Sequence, residues 1–487
     1  MRCYIGWCLA YLNPNGPARW SIAQKPQSLA MDDRNNGTAA SSANATPYLR
    51  PGTPESEAIT PAPRANPFAT PYGSMPVSAA GSSTALQMPQ QRYFHSRRVK
   101  KGEVEKPWLE RKDPKEKWVT IIPCIGIAIG IALTGFLIYD GLASVTNHSY
   151  CSVFEDDFSG GFNSKIWQKE VEVGGFGNGQ FEMTTNTDEN SFIQDGMLYL
   201  KPTLQDAKLI EQNNVINLLA DGSCSSDVWS NCITGTNTTN GTIVNPVKSA
   251  RISTKGGASI KFGRIEVEAK LPEGDWLWPA IWMLPKDNVY GAWPRSGEID
   301  IMESRGNNHT YAQGGNNVMS STLHWGPNSA NDGWWLNNNK HAALHTTYSK
   351  GFHTFGLEWS EKYVFTYVDS RLLQVMYVNF DKPFWQKGRF PVSDSNGTAL
   401  MNPWAATGKD NTPFDQDFYL ILNVAVGGTN GWFEDGASGK PWTDGSGLAR
   451  KEFWDARDQW YPTWEKNGQM IVKSVKMYQQ KGYNGCN

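Results

Sequence analysis

An all-β sandwich or barrel, carried behind one long apolar helix, is the fold class that this sequence of 487 residues predicts. Three observations predict it. Many short runs alternate apolar and polar residues with Gly, Asn and Pro between them, which argues for antiparallel strands and against alternating β and α units. One run of 21 residues, Val119 to Tyr139, carries no charge. The composition also changes along the chain, from Ser, Ala, Pro, Thr, Asn and Gly at the start to a Trp-rich strand pattern beyond the apolar run.

Residues 1–91 hold few aliphatic side chains and no sustained period, so burial cannot offset the entropy of ordering them, and the segment is expected to be disordered. Its four Thr-Pro dipeptides, at Thr46, Thr53, Thr60 and Thr70, are candidates for proline-directed phosphorylation. The apolar opening Cys3 to Leu12 has no small-residue cleavage site before Asn13-Pro14-Asn15-Gly16 and reads as tail rather than signal peptide. As a helix, Val119 to Tyr139 spans about 31 Å, the hydrocarbon thickness of a bilayer. A buried core helix rarely stays apolar on every side over that length. Ten Lys or Arg residues lie between Arg92 and Lys117 and none between Asp140 and Ser164, which places the N-terminal side in the cytosol. The expected layout is a cytosolic tail at 1–117, basic at its end, a transmembrane helix at 118–139, and a lumenal or extracellular domain at 140–487. That is a single-pass type II membrane protein of the secretory pathway or plasma membrane, with cytosolic partners of the tail unknown.

Sequons and cysteines agree with this topology. Acceptor asparagines for N-glycosylation follow the helix at Asn147, Asn237, Asn240, Asn308 and Asn396, while Asn36 and Asn44 lie in the tail and are expected to stay unmodified. Four cysteines follow the helix, an even number suited to an oxidising compartment. Cys224 and Cys232 flank a short polar loop and are expected to pair, leaving Cys151 for Cys486, although four cysteines permit three pairings. Within the domain, Arg264 to Lys270 alternates without fault. Tyr363 to Val368, Asp369-Ser370 and Arg371-Leu372-Leu373 read as a hairpin, and Phe418 to Val426 and Met470 to Gln479 are further strands. The net charge of −2, with no Gly-rich phosphate loop and no zinc-spaced Cys/His cluster, gives no reason to expect nucleic acid or a metal.

The stretch that carries chemistry is Glu298-Ile299-Asp300-Ile301-Met302-Glu303. Strand side chains alternate faces, so Glu298 and Asp300 share one face and a regular strand would aim Glu303 at the other. A bulge absorbing one residue at Ile301 or Met302 re-aims Glu303 onto the first face. Two carboxyls so placed suit retaining glycoside hydrolysis, in which one attacks the anomeric carbon and the other protonates the leaving oxygen and then activates water. An amphipathic strand with an acidic outer face would instead carry its third charge at position 302, where this chain has Met.

The words around that stretch, Trp278-Pro279-Ala280-Ile281-Trp282-Met283-Leu284-Pro285, Trp293-Pro294 and Ser296-Gly297-Glu298, resemble glycoside hydrolase family 16. Leu323-His324-Trp325-Gly326 and Leu422-Asn423-Val424-Ala425-Val426-Gly427-Gly428 extend the resemblance over about 151–480, most closely to the laminarinase branch of endo-β-1,3-glucanases. It implies a jelly-roll sandwich of the concanavalin A-like lectin/glucanase type, with a concave face open as a cleft. It implies Glu298 as nucleophile, Glu303 as general acid/base and Asp300 tuning the nucleophile. It implies that Trp293 and Trp432 stack on sugar, that His324 lies beside the acid/base carboxyl, and that Arg251 contacts the glucan near the cleavage point. Trp278 and Trp282 are divided between core and cleft, and Trp359 is assigned to structure. Family members with five residues from first to second Glu, such as lichenases and xyloglucan transglycosylases, fit less well than the six-residue form. No cofactor is expected, and a structural calcium is left open.

The expected activity is that of a membrane-anchored retaining endo-β-1,3(4)-glucanase acting on cell-wall β-glucan. Tail, helix and lumenal domain together also resemble fungal proteins of β-1,6-glucan synthesis, so glucan transglycosylation is the second reading. Non-catalytic β-glucan binding, as in invertebrate recognition proteins of this fold, is the third; those proteins characteristically lack the glutamates, and both stand here.

Overall fold

The computed structural model describes residues 96–110, 113–144 and 147–487, so the expectations for 1–91, including Asn36, Asn44 and the Thr-Pro sites, lie outside the described residues. The chain divides into residues 1–110 and 111–487. In the first unit a turn at 101–104 precedes the short helix Pro107–Glu110.

In the second unit the apolar run forms the helix Glu116–Ser144, longer at both ends than the uncharged stretch because Glu116 and Lys117 before it and the Asp140–Ser144 segment after it continue the same turns. Its apolar side chains are exposed, Ile131 to 69%, and none of that apolar span is buried among the described residues. By length and composition it is able to cross a membrane.

The remaining chain is a sandwich of two antiparallel sheets. The cleft sheet has seven strands: β1 Gln168–Glu170, β2 Arg251–Ser253, β3 Leu277–Pro285, β4 Glu298–Ser304, β5 Val318–His324, β6 Asn338–Ala342 and β7 Phe418–Val426. Their order is β6-β5-β4-β3-β7-β2-β1, which places β4 third from one edge. The outer sheet has eight strands, with Gly263–Lys270 and Met470–Gln480 at its centre. Alternation settles which face each strand buries: Ile265, Val267 and Ala269 point inward, and Arg264, Glu266 and Glu268 point outward. Ile265, Val267, Phe355, Leu357 and Trp359 from the outer sheet join Ile281, Met283, Ile299, Leu420 and Leu422 from the cleft sheet in one core. Trp359 is fully buried there, its Nε1 donating to the Phe414 carbonyl at 3.1 Å.

One strand expectation is corrected. The hairpin begins with Tyr363–Val368 as read, but its partner is Gln374–Asn379, and Arg371-Leu372-Leu373 belong to the connection. Asp369 takes a positive φ of 59° and accepts the Thr354 N–H at 3.0 Å, which turns the chain early and leaves Leu372 in solvent. Both disulfides form as read, Cys224–Cys232 and Cys151–Cys486. The latter lies where Tyr150–Asp156 pairs with the last strand, Cys151 opposite Gln479. All five sequon asparagines beyond the helix are exposed.

Candidate active site

The bulge on β4 builds the site. On one side Met302 pairs with Ile281 and Asp300 with Trp282, leaving Ile301 without an opposite residue. On the other, Asp300 pairs with Thr322 and Glu303 with Ser320, so two residues oppose one. The shift restores Glu303 to the face of Glu298 and Asp300, while Ile299, Ile301 and Met302 are buried. The Ile301 carbonyl, displaced from the ladder, accepts the Ser321 hydroxyl at 2.7 Å, and that hydroxyl accepts from Thr366 of the outer sheet at 2.8 Å. The bulge is thereby pinned to the other layer of the sandwich.

Cross-strand register turns the cleft floor into rows. One row runs Lys340, Ser320, Glu303, Ala280, Asn423, Arg251, Glu170. A second places Asn338 and Thr322 on one side of Asp300 and Trp282 on the other. In a third, His324 stands opposite Glu298.

Each acid has a distinct set of neighbours. Trp293 Nε1 donates to Glu298 Oε2 at 2.7 Å, and its ring remains 44% exposed. Trp278 Nε1 donates to Glu303 Oε1 at 3.0 Å. Asp300, 2% exposed, lies 3.3 Å from His324 Nε2, whose Nδ1 lies 2.5 Å from Asp332 Oδ2. Burial raises all three carboxyls above the ordinary range. The Asp300 charge raises Glu298 further, and the Glu303 charge raises Asp300 further. Burial alone would lower His324, but its contacts with Asp300 and Asp332 outweigh that and hold it well above its usual value as a cation. Glu298 and Asp300 therefore titrate as a pair, sharing a proton beside an imidazolium. Burial and the Asp300 charge raise Glu298 further than Asp300, so Glu298 holds that proton first and becomes a free carboxylate when the proton passes to Asp300.

His324 stands opposite Glu298, and its charge also acts on Glu303, so it lies among all three carboxyls. Two expected placements change. Arg251 lies on the cleft face but three strands from Glu303, about 14 Å at ordinary strand spacing. It is 7% exposed, paired with Glu170 at 2.7 Å and held between the rings of Phe176 and Trp282 at 4.1 and 4.8 Å, which keeps it from the cleavage point. Trp432 stacks on Trp278, ring centroids 4.6 Å apart and planes within 10°, so that face is closed to sugar. Trp282 is partly buried and donates to Asn423 Oδ1 at 2.7 Å. Both divided tryptophans thus sit on the cleft face with their N–H groups bonded.

Sequence reasoning missed Asp332, Arg305 and Asn423. Asn423 stands inside a motif already singled out, and Arg305 is two residues past Glu303; Asp332, in a polar loop eight residues after His324, left no signal. Glu298, Asp300 and His324 each offer a ligand atom within 4.8 Å of the others, but both His324 nitrogens are already matched to carboxylates.

Residues 210–417 match the family model described as glycosyl hydrolases family 16. The beta-1,3-glucan-binding protein of Penaeus monodon is 39% identical over 335 residues, 67% of this chain and 88% of that protein. The glucan endo-1,3-beta-glucosidase A1 of Niallia circulans is 31% identical over 289 residues, 57% of this chain and 34% of that protein. Among solved structures, the laminarinase catalytic domain from Thermotoga maritima MSB8 aligns at 24% identity with a TM-score of 0.43, over 69% of this chain and 100% of that one.

Proposed function

The chain belongs to glycosyl hydrolase family 16, and from that membership we propose that it is a retaining hydrolase of β-1,3- or mixed β-1,3/1,4-linked glucan. The observation that carries the reading is the bulge that gathers Glu298, Asp300 and Glu303 on one face. Glu298 attacks the anomeric carbon as its carboxylate, forming a glycosyl ester, while the raised Glu303 gives its proton to the departing glycosidic oxygen. Glu303, now ionised, takes a proton from water as that water attacks the same carbon and frees Glu298. Asp300 takes up the shared proton as Glu298 attacks, and His324 offsets the remaining charge.

The exposed apolar helix, its basic N-terminal flank, the exposed sequons and the two disulfides support a type II anchored protein with this domain outside the cytosol. In such a protein the substrate is a wall glucan. Similarity to the Penaeus monodon protein favours a second reading, glucan binding without cleavage.

Full-length protein in detergent, incubated with laminarin and short β-1,3-gluco-oligosaccharides beside Glu298→Gln, separates these readings. Shorter products from the parent alone support hydrolysis by Glu298. Products longer than the substrate indicate that a sugar hydroxyl replaces water. Unaltered glucan retained by both proteins supports binding and overturns the catalytic reading.

A further inference from the structure

Arg305, Trp432 and Trp278 form one stack that ends on Glu303. Arg305 Cζ lies 4.0 Å from the Trp432 ring centroid. A guanidinium that close cannot share a face with an indole lying parallel at 4.6 Å, so it covers the opposite face, and Trp432 keeps no ring face for sugar. The grip is double, because Arg305 Nε and Nη2 also donate to the Trp432 carbonyl at 3.1 and 2.6 Å. The loop itself is anchored: Gly431 N–H donates to Asp444 Oδ2 at 2.7 Å, and Asp444 is paired with the buried ammonium of Lys440. At the other end, the Trp278 N–H reaches Glu303 at 3.0 Å. The Trp432 Nε1 is buried with no partner among the described residues, so its indole contributes faces rather than a hydrogen bond.

We propose that Trp432 is a positioning residue which, clamped by Arg305, fixes the plane of Trp278 so that the indole N–H stays aimed at Glu303. The inference deepens the hydrolytic reading and rests on Glu303 as acid/base. A single indole against a carboxyl is free to tilt about its side-chain torsions; one held between a backbone strand and a second, clamped indole is not. A fixed N–H donor favours the ionised form of Glu303, as does the nearby Arg305 charge. Loss of the stack therefore moves the Glu303 titration to higher pH. The other charged groups facing Glu303 are Glu298 and Asp300 on its own strand, His324 from β5 and Lys340 from β6 in the same row.

The test compares Trp432→Ala and Trp432→Phe with the parent, full-length in detergent. Rates on a β-1,3-gluco-oligosaccharide are followed against pH beside those on a 2,4-dinitrophenyl β-glucan oligoside, whose leaving group needs no proton. Trp432→Ala is expected to lose about tenfold or more in kcat on the natural linkage, with its alkaline limb moved upward and a much smaller loss on the activated substrate. Trp432→Phe, which keeps the ring faces, is expected to restore the parent's limb. The 19F resonance of 5-fluorotryptophan at position 278, assigned with Trp278→Phe, reports the same titration without turnover, and Trp432→Ala should raise its midpoint. A raised KM with unchanged kcat and unmoved limb would make Trp432 a sugar-contacting residue and overturn the proposal. Equal losses on both substrates with an unmoved fluorine midpoint would overturn it as general damage. A parent that cleaves nothing defeats the hydrolytic reading, and the fluorine midpoints still decide whether the stack positions the carboxyl.

Discussion

Glu358 and Glu298 are carboxylates on strands of one sandwich, yet they are kept in different electrical company. On the outer sheet Glu358 lies 2.5 Å from Arg371 and accepts the Tyr363 hydroxyl at 2.8 Å. Glu266 accepts from Tyr367 at 2.7 Å and lies 3.7 Å from Arg264, and Glu268 is 2.8 Å from Lys473. Each of these three acids has a cation of its own. In the cleft, Glu298, Asp300 and Glu303 share one imidazolium and two indole N–H groups. Acids that hold a fold together are neutralised where they stand, whereas acids with chemistry to perform are left under-compensated, which is what keeps a proton available near neutral pH.

Removing charge on the two faces should separate these uses. The largest effect is expected for Glu298→Gln, a loss on the order of 10⁴-fold in turnover of a β-1,3-gluco-oligosaccharide with the thermal midpoint held or raised. Glu303→Gln should cost about 10²- to 10⁴-fold on the same substrate, and should abolish the alkaline limb that the parent owes to its raised Glu303. A Glu303→Gln profile that keeps the parent's limb would assign that limb elsewhere. On the outer sheet, Glu358→Gln should leave the turnover of folded protein unchanged and lower stability by about 2 kcal/mol in a denaturant titration, since Arg371 is partly exposed and water takes over part of the lost contact.

A subtler sharpening concerns Glu182, buried beside the cleft wall. Burial pushes it up to about 7, against the Val426 N–H and the charges of Arg251 and Arg450. A carboxyl raised on folding contributes stability below its unfolded pKa and loses it as pH rises through the folded value. Thermal midpoints of the parent should therefore fall between pH 5 and pH 8 more steeply than those of Glu182→Gln; parallel curves would show that Glu182 is ionised without cost.

Much of this was legible in the sequence because its causes are local. Strand alternation, the impossible parity of Glu303 and the uncharged run each follow from a few neighbouring residues, and the strands at 263–270 and 418–426 and the bulge lie where those signals put them. What was not legible depends on meetings across the fold. Whether Arg251 reaches the cleavage point is decided by strand order, and whether Trp432 presents a face is decided by Arg305, 127 residues earlier. The Asp369 turn hid for a different reason, since leucines at 372 and 373 imitate a strand that the left-handed Asp369 has already bent away.

The bond between Cys151 and Cys486 makes the sandwich a covalent ring, closed across a sequence separation of 335. A protease that nicks any loop inside that ring leaves both fragments attached, so the domain survives cutting as one particle until it meets a reductant. Only scission in the short stretch between Ser144 and Cys151 parts the intact ring from the apolar helix. That stretch is thus the single point at which shedding yields a whole domain, and limited digestion resolved with and without reductant would show one released species in place of a ladder.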